Sequence, residues 1–319
     1  MEPRGPRVLA VGDAIVDIFT PPLRPLPAGD VQRRISGVRL GPGGNATNFA
    51  LQIASLGART TFVGSVGTDV LASILIDAFR RHGVRARLTK SRSLPTGASV
   101  AVAWLQGGRA LVTSPGANAA LSARGVSPSL VAHADHVHRA GFWWTPRLGA
   151  RGTARLLAQA RRGGASTSLD VATDPDGWTR ENVDDVRSVL PHVTTFLGNE
   201  AEIRAIGRGR DLPDSARNVA RLGVQEVVVH RGAKGASCLR DGITLRAPAF
   251  PAARANPTGC GDVFNAGYVL SRLGGRGILD ALIFANACAA AHLQDPGRPY
   301  PTRREVARIL STSRGRARL

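Results

Sequence analysis

The stretch Asn256-Pro257-Thr258-Gly259-Cys260-Gly261-Asp262 runs into a segment in which Val263, Ala266, Gly267, Leu270 and Leu273 recur three or four residues apart. That spacing puts them on one face of a helix. Pro257 disfavours helix at the residue before it, so the turn falls at 257–261. The peptide N–H groups of residues 259–262 then point out of a helix N-terminus, which is short of acceptors, carries partial positive charge and suits an anion. Asp262, in the first turn, presents a carboxylate to whatever that anion reacts with. An anion hole beside a base is what phosphoryl transfer to a hydroxyl requires. The same residue types also make an ordinary loop-to-helix junction with an acidic cap, and only the rest of the chain decides between the two.

Val8–Val11 reads as a short apolar strand ending at Gly12, after which Asp13 and Asp17 stand four apart. An aspartate beyond the carboxyl end of a strand is well placed to grip hydroxyl groups. Asp17, between Val16 and Ile18, fits that role, and Asp13 reads as a solvated loop residue. Gly41-Pro42-Gly43-Gly44-Asn45-Ala46-Thr47-Asn48 precedes a helical stripe of Ala46, Phe49, Ala50, Ile53 and Ala54. It is a glycine turn that lets a ligand approach the backbone, with Asn48 able to hydrogen-bond it. The glycines do not fit G-x-G-x-x-G, which counts against a dinucleotide site. Asn199 and Glu202 share a face at the start of a helix and either hold a hydrated magnesium ion or cap that helix. Gly232 and Gly235 bracket a hairpin after the strand Val227–His230, and no Walker-type phosphate loop occurs in the sequence. Asn286 lies in the almost wholly apolar helix 279–293, where a buried amide needs a partner; adenine and a neighbouring backbone are the alternatives. His136 and His138 share one face of a strand, with a spacing that matches no closed zinc pattern.

Positioning these residues takes an alternation of strands and helices. Thr60–Gly64 reads as a strand and 70–82 as a helix, and strand–helix alternation resumes from 130 onward, with Asp170 ending the strand at 168–170. Between them Arg85–Leu88, Ser99–Leu105 and Ala110–Thr113 read as short antiparallel strands, with a turn at Gly107-Gly108. Together with a strand over 31–40 they are expected to form a small side sheet, a natural lid.

Composition excludes several classes. The 319 residues are 43% hydrophobic, enough for a large core, and no apolar run reaches the length of a membrane span. The polar N-terminus does not read as a secretory signal. Cys238, Cys260 and Cys288 are few and widely spaced, pointing to a reducing cytoplasm without a disulfide framework. Net charge is +19, and all but Lys90 and Lys234 of the 42 basic residues are arginine. The arginines are scattered and aromatic content is only 5%, so no basic–aromatic stripe for stacking bases is present. The charge reads as compositional bias that also draws phosphate-bearing substrates, not as a nucleic-acid surface.

The two glycine stretches, Gly43-Gly44-Asn45-Ala46-Thr47-Asn48 and Asn256-Pro257-Thr258-Gly259-Cys260-Gly261-Asp262, resemble the two signatures of the ribokinase-like (phosphofructokinase B-type) carbohydrate kinases. The order of the pieces between and after them is similar too, down to Phe284-Ala285-Asn286-Ala287 and the ending Pro299-Tyr300-Pro301-Thr302-Arg303-Arg304-Glu305-Val306. The resemblance spans essentially the whole chain. It implies one domain over 1–319, a three-layer α/β/α body with a mostly parallel central sheet, and a β-sheet lid from segments roughly 18–41 and 85–114. In that family the lid is often a dimerisation surface, so a homodimer is expected. It implies ATP and Mg2+, with Asp262 as catalytic base and Gly259, Cys260 and Gly261 as the anion hole. Asp17, Gly43, Gly44 and Asn48 match positions that hold the sugar. Asn199 and Glu202 match a pair linked to magnesium and phosphate through water, and Gly232, Gly235 and Asn286 match the nucleotide side.

Three departures stand out. Asn45 replaces the lysine usual in ribokinases proper, which points away from ribose itself. Asn256 replaces an aspartate found in many members beside a monovalent-cation site, which leaves potassium activation open. His230-Arg231 stand where Thr-Leu is commoner. The expected reaction is transfer of the ATP γ-phosphoryl group to a hydroxymethyl group of a sugar or sugar derivative. A nucleoside kinase and a sugar-phosphate kinase are the alternatives within the family; a non-catalytic basic binding protein is the alternative outside it.

Overall fold

In the first strand Val8 and Ala10 point to one side and Leu9 and Val11 to the other, and all four are buried. A strand apolar on both faces belongs inside a sheet covered on both sides. The computed structural model describes residues 5–106, 108–252, 257–294 and 300–316. In chain order the strands are β1 (Arg7–Val11), β2 (Ile15–Phe19), β3 (Arg39–Gly43), β4 (Arg59–Val66), β5 (Arg85–Lys90), β6 (Gly97–Ala103), β7 (Arg109–Ser114), β8 (His136–Arg139), β9 (Ser166–Asp170), β10 (Thr195–Asn199), β11 (Glu226–His230), β12 (Ala236–Arg240) and β13 (Ile243–Ala247). The helices are α1 (Asn45–Ser55), α2 (Val70–Arg81), α3 (Pro128–Ala132), α4 (Gly149–Arg162), α5 (Arg180–Val189), α6 (Glu200–Gly207), α7 (Leu212–Arg221), α8 (Cys260–Leu273), α9 (Ile278–Gln294) and α10 (Arg303–Arg316).

The large sheet runs β13-β12-β11-β10-β9-β8-β1-β4-β5, parallel from β11 to β5 with an antiparallel pair at the other edge. Val8, Ala10 and Phe62 pack on one face against α1, α2, α8, α9 and α10. Leu9, Val11 and Val137 pack on the other against α3 to α7. This is the three-layer α/β/α body. The chain leaves β1 toward β4 on one side and returns to β8 on the other, so the strand order reverses there. Ligands in such sheets bind beyond the carboxyl ends of the strands at that point.

The second sheet runs β3-β2-β6-β7, with β2 and β6 parallel and the outer pairs antiparallel. Its boundaries differ from those expected in three respects. It begins at Ile15, not near 18. A strand forms only at Arg39–Gly43; residues 31–34 and 36–40 are exposed, so no apolar burial draws 31–38 into pairing. Gly41 and Gly43 therefore continue a strand, and the turn is confined to Gly44, the N-cap of α1. Arg85–Lys90, expected in the lid, instead pairs in parallel with β4 at the edge of the large sheet. The intervening helix α2 explains this, because a strand that returns through a helix lies parallel beside the strand it left. Gly107, Asn256 and Pro299 lie outside the described residues.

Candidate active site

The carboxyl ends of four parallel strands converge on one cleft of about 530 Å³. Asp13 follows β1, Asp170 ends β9, Asn199 ends β10 and His230 ends β11. The N-termini of α1 and α8 form a wall of this cleft, and the lid strands β2, β6 and β7 contribute Asp17, Ser99, Arg109, Leu111 and Thr113 to it. On β7, Arg109, Leu111 and Thr113 alternate onto the inner face, as the two-residue period of a strand requires.

Asp262 is buried in the first turn of α8. Its Oδ1 accepts from Asn45 Nδ2 at 3.1 Å and its Oδ2 from Asn48 Nδ2 at 2.9 Å. Burial, and then the charge of Asp170, hold its carboxyl well above the usual carboxylate range. A group with raised proton affinity that still faces a cleft is suited to take a proton near neutral pH. Gly259 caps the helix at φ +79°, a left-handed conformation that favours glycine. Of the N–H groups expected to form the anion hole, that of Cys260 is turned inward onto Pro257 O at 3.1 Å. Those of Gly261 and Asp262 have no acceptor among the described residues. Cys260 thus lines the cleft with its small side chain while its N–H is taken by Pro257.

On the lid side Asp17 is buried beside Gly43 and Asn48. Burial, then the Asp13 charge, pushes Asp17 up to about 7, against the pull of Arg109 and Arg39. Raised proton affinity in the fold means that the protonated form is favoured there. The contribution of Asp17 to stability is therefore full below its ordinary pKa of 3.8 and is lost as pH rises to about 7. Asp17→Asn should accordingly raise the melting temperature of the empty protein at pH 8 by at least about 2 °C and leave it nearly unchanged at pH 4, as read by calorimetry.

Asp13, expected in solvent, is fully buried. Its carboxylate accepts from the N–H groups of Asn45 at 3.1 Å and Ala46 at 2.9 Å, so it caps α1 from a distance and orients the residues that face Asp262. Its flanks, Gly12 and the apolar run Ala14-Ile15-Val16, were the available sign of burial.

Asn199 and Glu202 make a reciprocal capping box: Asn199 Oδ1 accepts from the N–H groups of Ala201 and Glu202, and Glu202 accepts from the N–H of Asn199. Both also line the cleft. Burial, then the Asp170 charge, pushes Glu202 up to about 8. Glu202 and Asp170 are buried carboxylates that line the same cleft, the oxygen-donor chemistry that a hard divalent cation takes. Gly232 reaches the cleft wall. Gly235 does not; a Cβ there would lie 2.1 Å from Ala247 O. Asn286 Nδ2 donates to Ala247 O at 3.2 Å and Pro248 O at 3.0 Å, so a neighbouring backbone takes its amide nitrogen. Gly235 and Asn286 thus converge on one segment and hold it in place. His136 and His138 are buried and both meet Ser168 Oγ at 2.7 Å.

Residues that sequence reasoning did not single out are Arg109 and Tyr300. Arg109 Nη1 donates to Thr258 Oγ1 at 2.6 Å, joining the lid to the glycine turn before α8. Tyr300 donates from Oη to Asn48 Oδ1 at 2.7 Å. Both contacts span more than a hundred residues of sequence, where spacing carries no signal.

A family model described as pfkB family carbohydrate kinase matches residues 6–303. Among curated proteins, the ATP-dependent ribose-1-phosphate kinase of Halopiger xanaduensis is 28% identical, over 96% of this chain and 98% of its own. The ribokinase of Arabidopsis thaliana is 26% identical, over 98% of this chain and 83% of its own. Among solved structures, the Arabidopsis thaliana ribokinase complexed with ribose and ATP superposes with a TM-score of 0.80 at 22% identity, covering 96% of this chain and 99% of that one. An E. coli putative ribokinase II in complex with ATP and Mg2+ gives the same values.

Proposed function

The chain belongs to the pfkB family of carbohydrate kinases, and we propose that it transfers the γ-phosphoryl group of ATP to a hydroxymethyl group of a sugar or sugar derivative, with Asp262 as the general base. The observation that carries this reading is the Asp262 carboxylate, buried at a helix start and facing the cleft beside the N–H groups of Gly261 and Asp262. The acceptor hydroxyl gives its proton to Asp262 as its oxygen attacks the γ-phosphorus, whose bond to the β–γ bridging oxygen breaks so that ADP leaves. The γ-phosphoryl oxygens face the amides of Gly261 and Asp262, whose positive ends stabilise the charge that develops there. Asp17 and Asn48 orient the acceptor, with Gly43 and Gly44 beside them. Glu202 and Asn199 would hold magnesium, which would supply charge neutralisation to the phosphates, and Gly232 would border the nucleotide. The inner face of the lid excludes water, which limits loss of ATP to hydrolysis.

A phosphorylated acceptor is the second reading, favoured by Arg109 on the inner face of the lid. The test is an ATP-consumption screen of the purified protein with magnesium against sugars, sugar acids, sugar phosphates and nucleosides. A single strong responder names the acceptor; no response, with no ATP binding, overturns the reading. Use of ATP together with three free thiols supports a cytoplasmic site of action.

The lid also supports a homodimer. Strand register aligns Leu40, Ile18, Val100 and Val112 in a row across all four lid strands, on the face away from the cleft. Val112 is 69% exposed. Such a row is a candidate for burial against a second copy. Val112→Glu should weaken dimerisation by about 100-fold or more, seen as a shift to monomer in sedimentation; a wild-type protein that is monomeric at high concentration would refute the interface.

A further inference from the structure

Asn45 and Asn48 stand three apart in the first turn of α1 and so share a face. Their amide nitrogens take one oxygen each of the Asp262 carboxylate. An amide can present either its nitrogen or its oxygen, and something must decide which. For Asn48 that is Tyr300, whose hydroxyl donates to Asn48 Oδ1 and thereby turns Nδ2 toward Asp262. Were the amide reversed, its oxygen would face the carboxylate, which repels it whenever Asp262 is ionised. The Tyr300 segment is itself fixed to α1, because Gln52 Nε2, one turn beyond Asn48, donates to Pro301 O at 3.0 Å. The ring is buried and makes an edge contact with His82 at 5.3 Å.

We infer that Asn45, Asn48 and Tyr300 form a clamp that orients the Asp262 carboxylate and sets its affinity for a proton, with Tyr300 as the positioning residue at its far end. The inference deepens the kinase reading, since it concerns the group assigned there as base. Asp262 sits in an acidic surrounding: Asp170 from β9 and Asp13 beyond β1 both disfavour its ionised form, while Arg109 from β7 opposes them. Cys260 on its own helix, Asp17 from β2, Glu202 from α6 and His230 from β11 complete the titratable and charged groups around the cleft. Against that repulsion two neutral amides supply the donors that favour the carboxylate. The neutral amide at position 45 has a physical meaning in this arrangement. A cation there would hold the base ionised far more strongly than an amide does, and its grip on a transferable proton would fall.

The test reads Asp262 without turnover. In protein labelled with carboxyl-13C aspartate, the Asp262 resonance is assigned by its loss in Asp262→Asn and titrated in the full chain. Tyr300→Phe and Asn45→Ala should each move the midpoint up by about half to one pH unit. Asn45→Lys should move it down by about one pH unit or more. Tyr268→Phe, which removes a buried phenol bonded to Glu226 instead, should leave it in place. The acid limb of kcat/KM should follow the same directions. Midpoints in Tyr300→Phe and Asn45→Ala indistinguishable from wild type overturn the clamp. Should Tyr300→Phe fail to fold, the opposite shifts expected of the two Asn45 variants decide the matter. Failure of the kinase reading looks different, because the wild-type protein would then show no acceptor-dependent ATP consumption whatever the midpoints.

Discussion

Asp262→Asn is expected to cut kcat by roughly 10²–10⁴, the scale on which general bases contribute, while ATP affinity stays nearly unchanged. The replacement is isosteric, so the first turn of α8 keeps its shape and the N–H groups of Gly261 and Asn at 262 still face the phosphate. What disappears is the acceptor for the proton. Asn45 and Asn48, which donate to the carboxylate, retain one oxygen to bond and lose the other. Calorimetry of ATP binding beside steady-state turnover separates the two effects. Retained turnover would sink the assignment of Asp262 as base, and loss of ATP binding would mean that the residue serves the fold or the nucleotide site.

Gly43→Ala is expected to cut kcat/KM for the acceptor by about 100-fold or more, the cost of displacing an orienting group by about an ångström. A Cβ at position 43 would lie 2.3 Å from the Asp17 carboxylate, far inside contact distance. Asp17 is on β2 of the lid, Gly43 at the end of the neighbouring β3, and neither strand yields without breaking its pairing. The carboxylate must therefore swing away from the acceptor. The nucleotide side shares none of these atoms, so the ATP dissociation constant should not move. Gly37→Ala, in open space with nothing within 4 Å of the added carbon, is the control. Unaltered acceptor kinetics in Gly43→Ala would remove Asp17 from the acceptor site.

Local pattern made much of this legible. The helix stripe after Asp262, the apolar β1 and the buried α9 follow from periodicity, and the structure forms each of them. The lid was harder to read. Residues 31–38 alternate enough to suggest a strand yet bury nothing, and Arg85–Lys90 carries the same short apolar rhythm whether it lies in the lid or the large sheet. Only the helix before it decides. Asp13 looked like a loop residue because its partners are backbone N–H groups more than thirty positions away. Asn286 carried a clear signal of burial but none of its partner, since hydrogen-bonded backbone and ligand satisfy an amide equally. Arg109 and Tyr300 reach the site only because distant strands and helices come together. Contacts of that range leave no trace in spacing.

The placement of β1 bears on how the protein can be made. β1, synthesised before either of its neighbours, ends inside the large sheet, with Val8 opposite Thr60 on one side and His136 on the other. One edge is covered early in synthesis. The other stays bare until residue 136 and its neighbours have emerged, a wait of more than seventy residues after β4. During that interval a Val- and Leu-bearing edge offers unpaired N–H and C=O groups to any passing strand, the situation in which nascent chains aggregate or recruit chaperones. Parallel pairing across such separations is slow in any case. Slower translation between β4 and β8 would lengthen that interval without changing a residue of the active site.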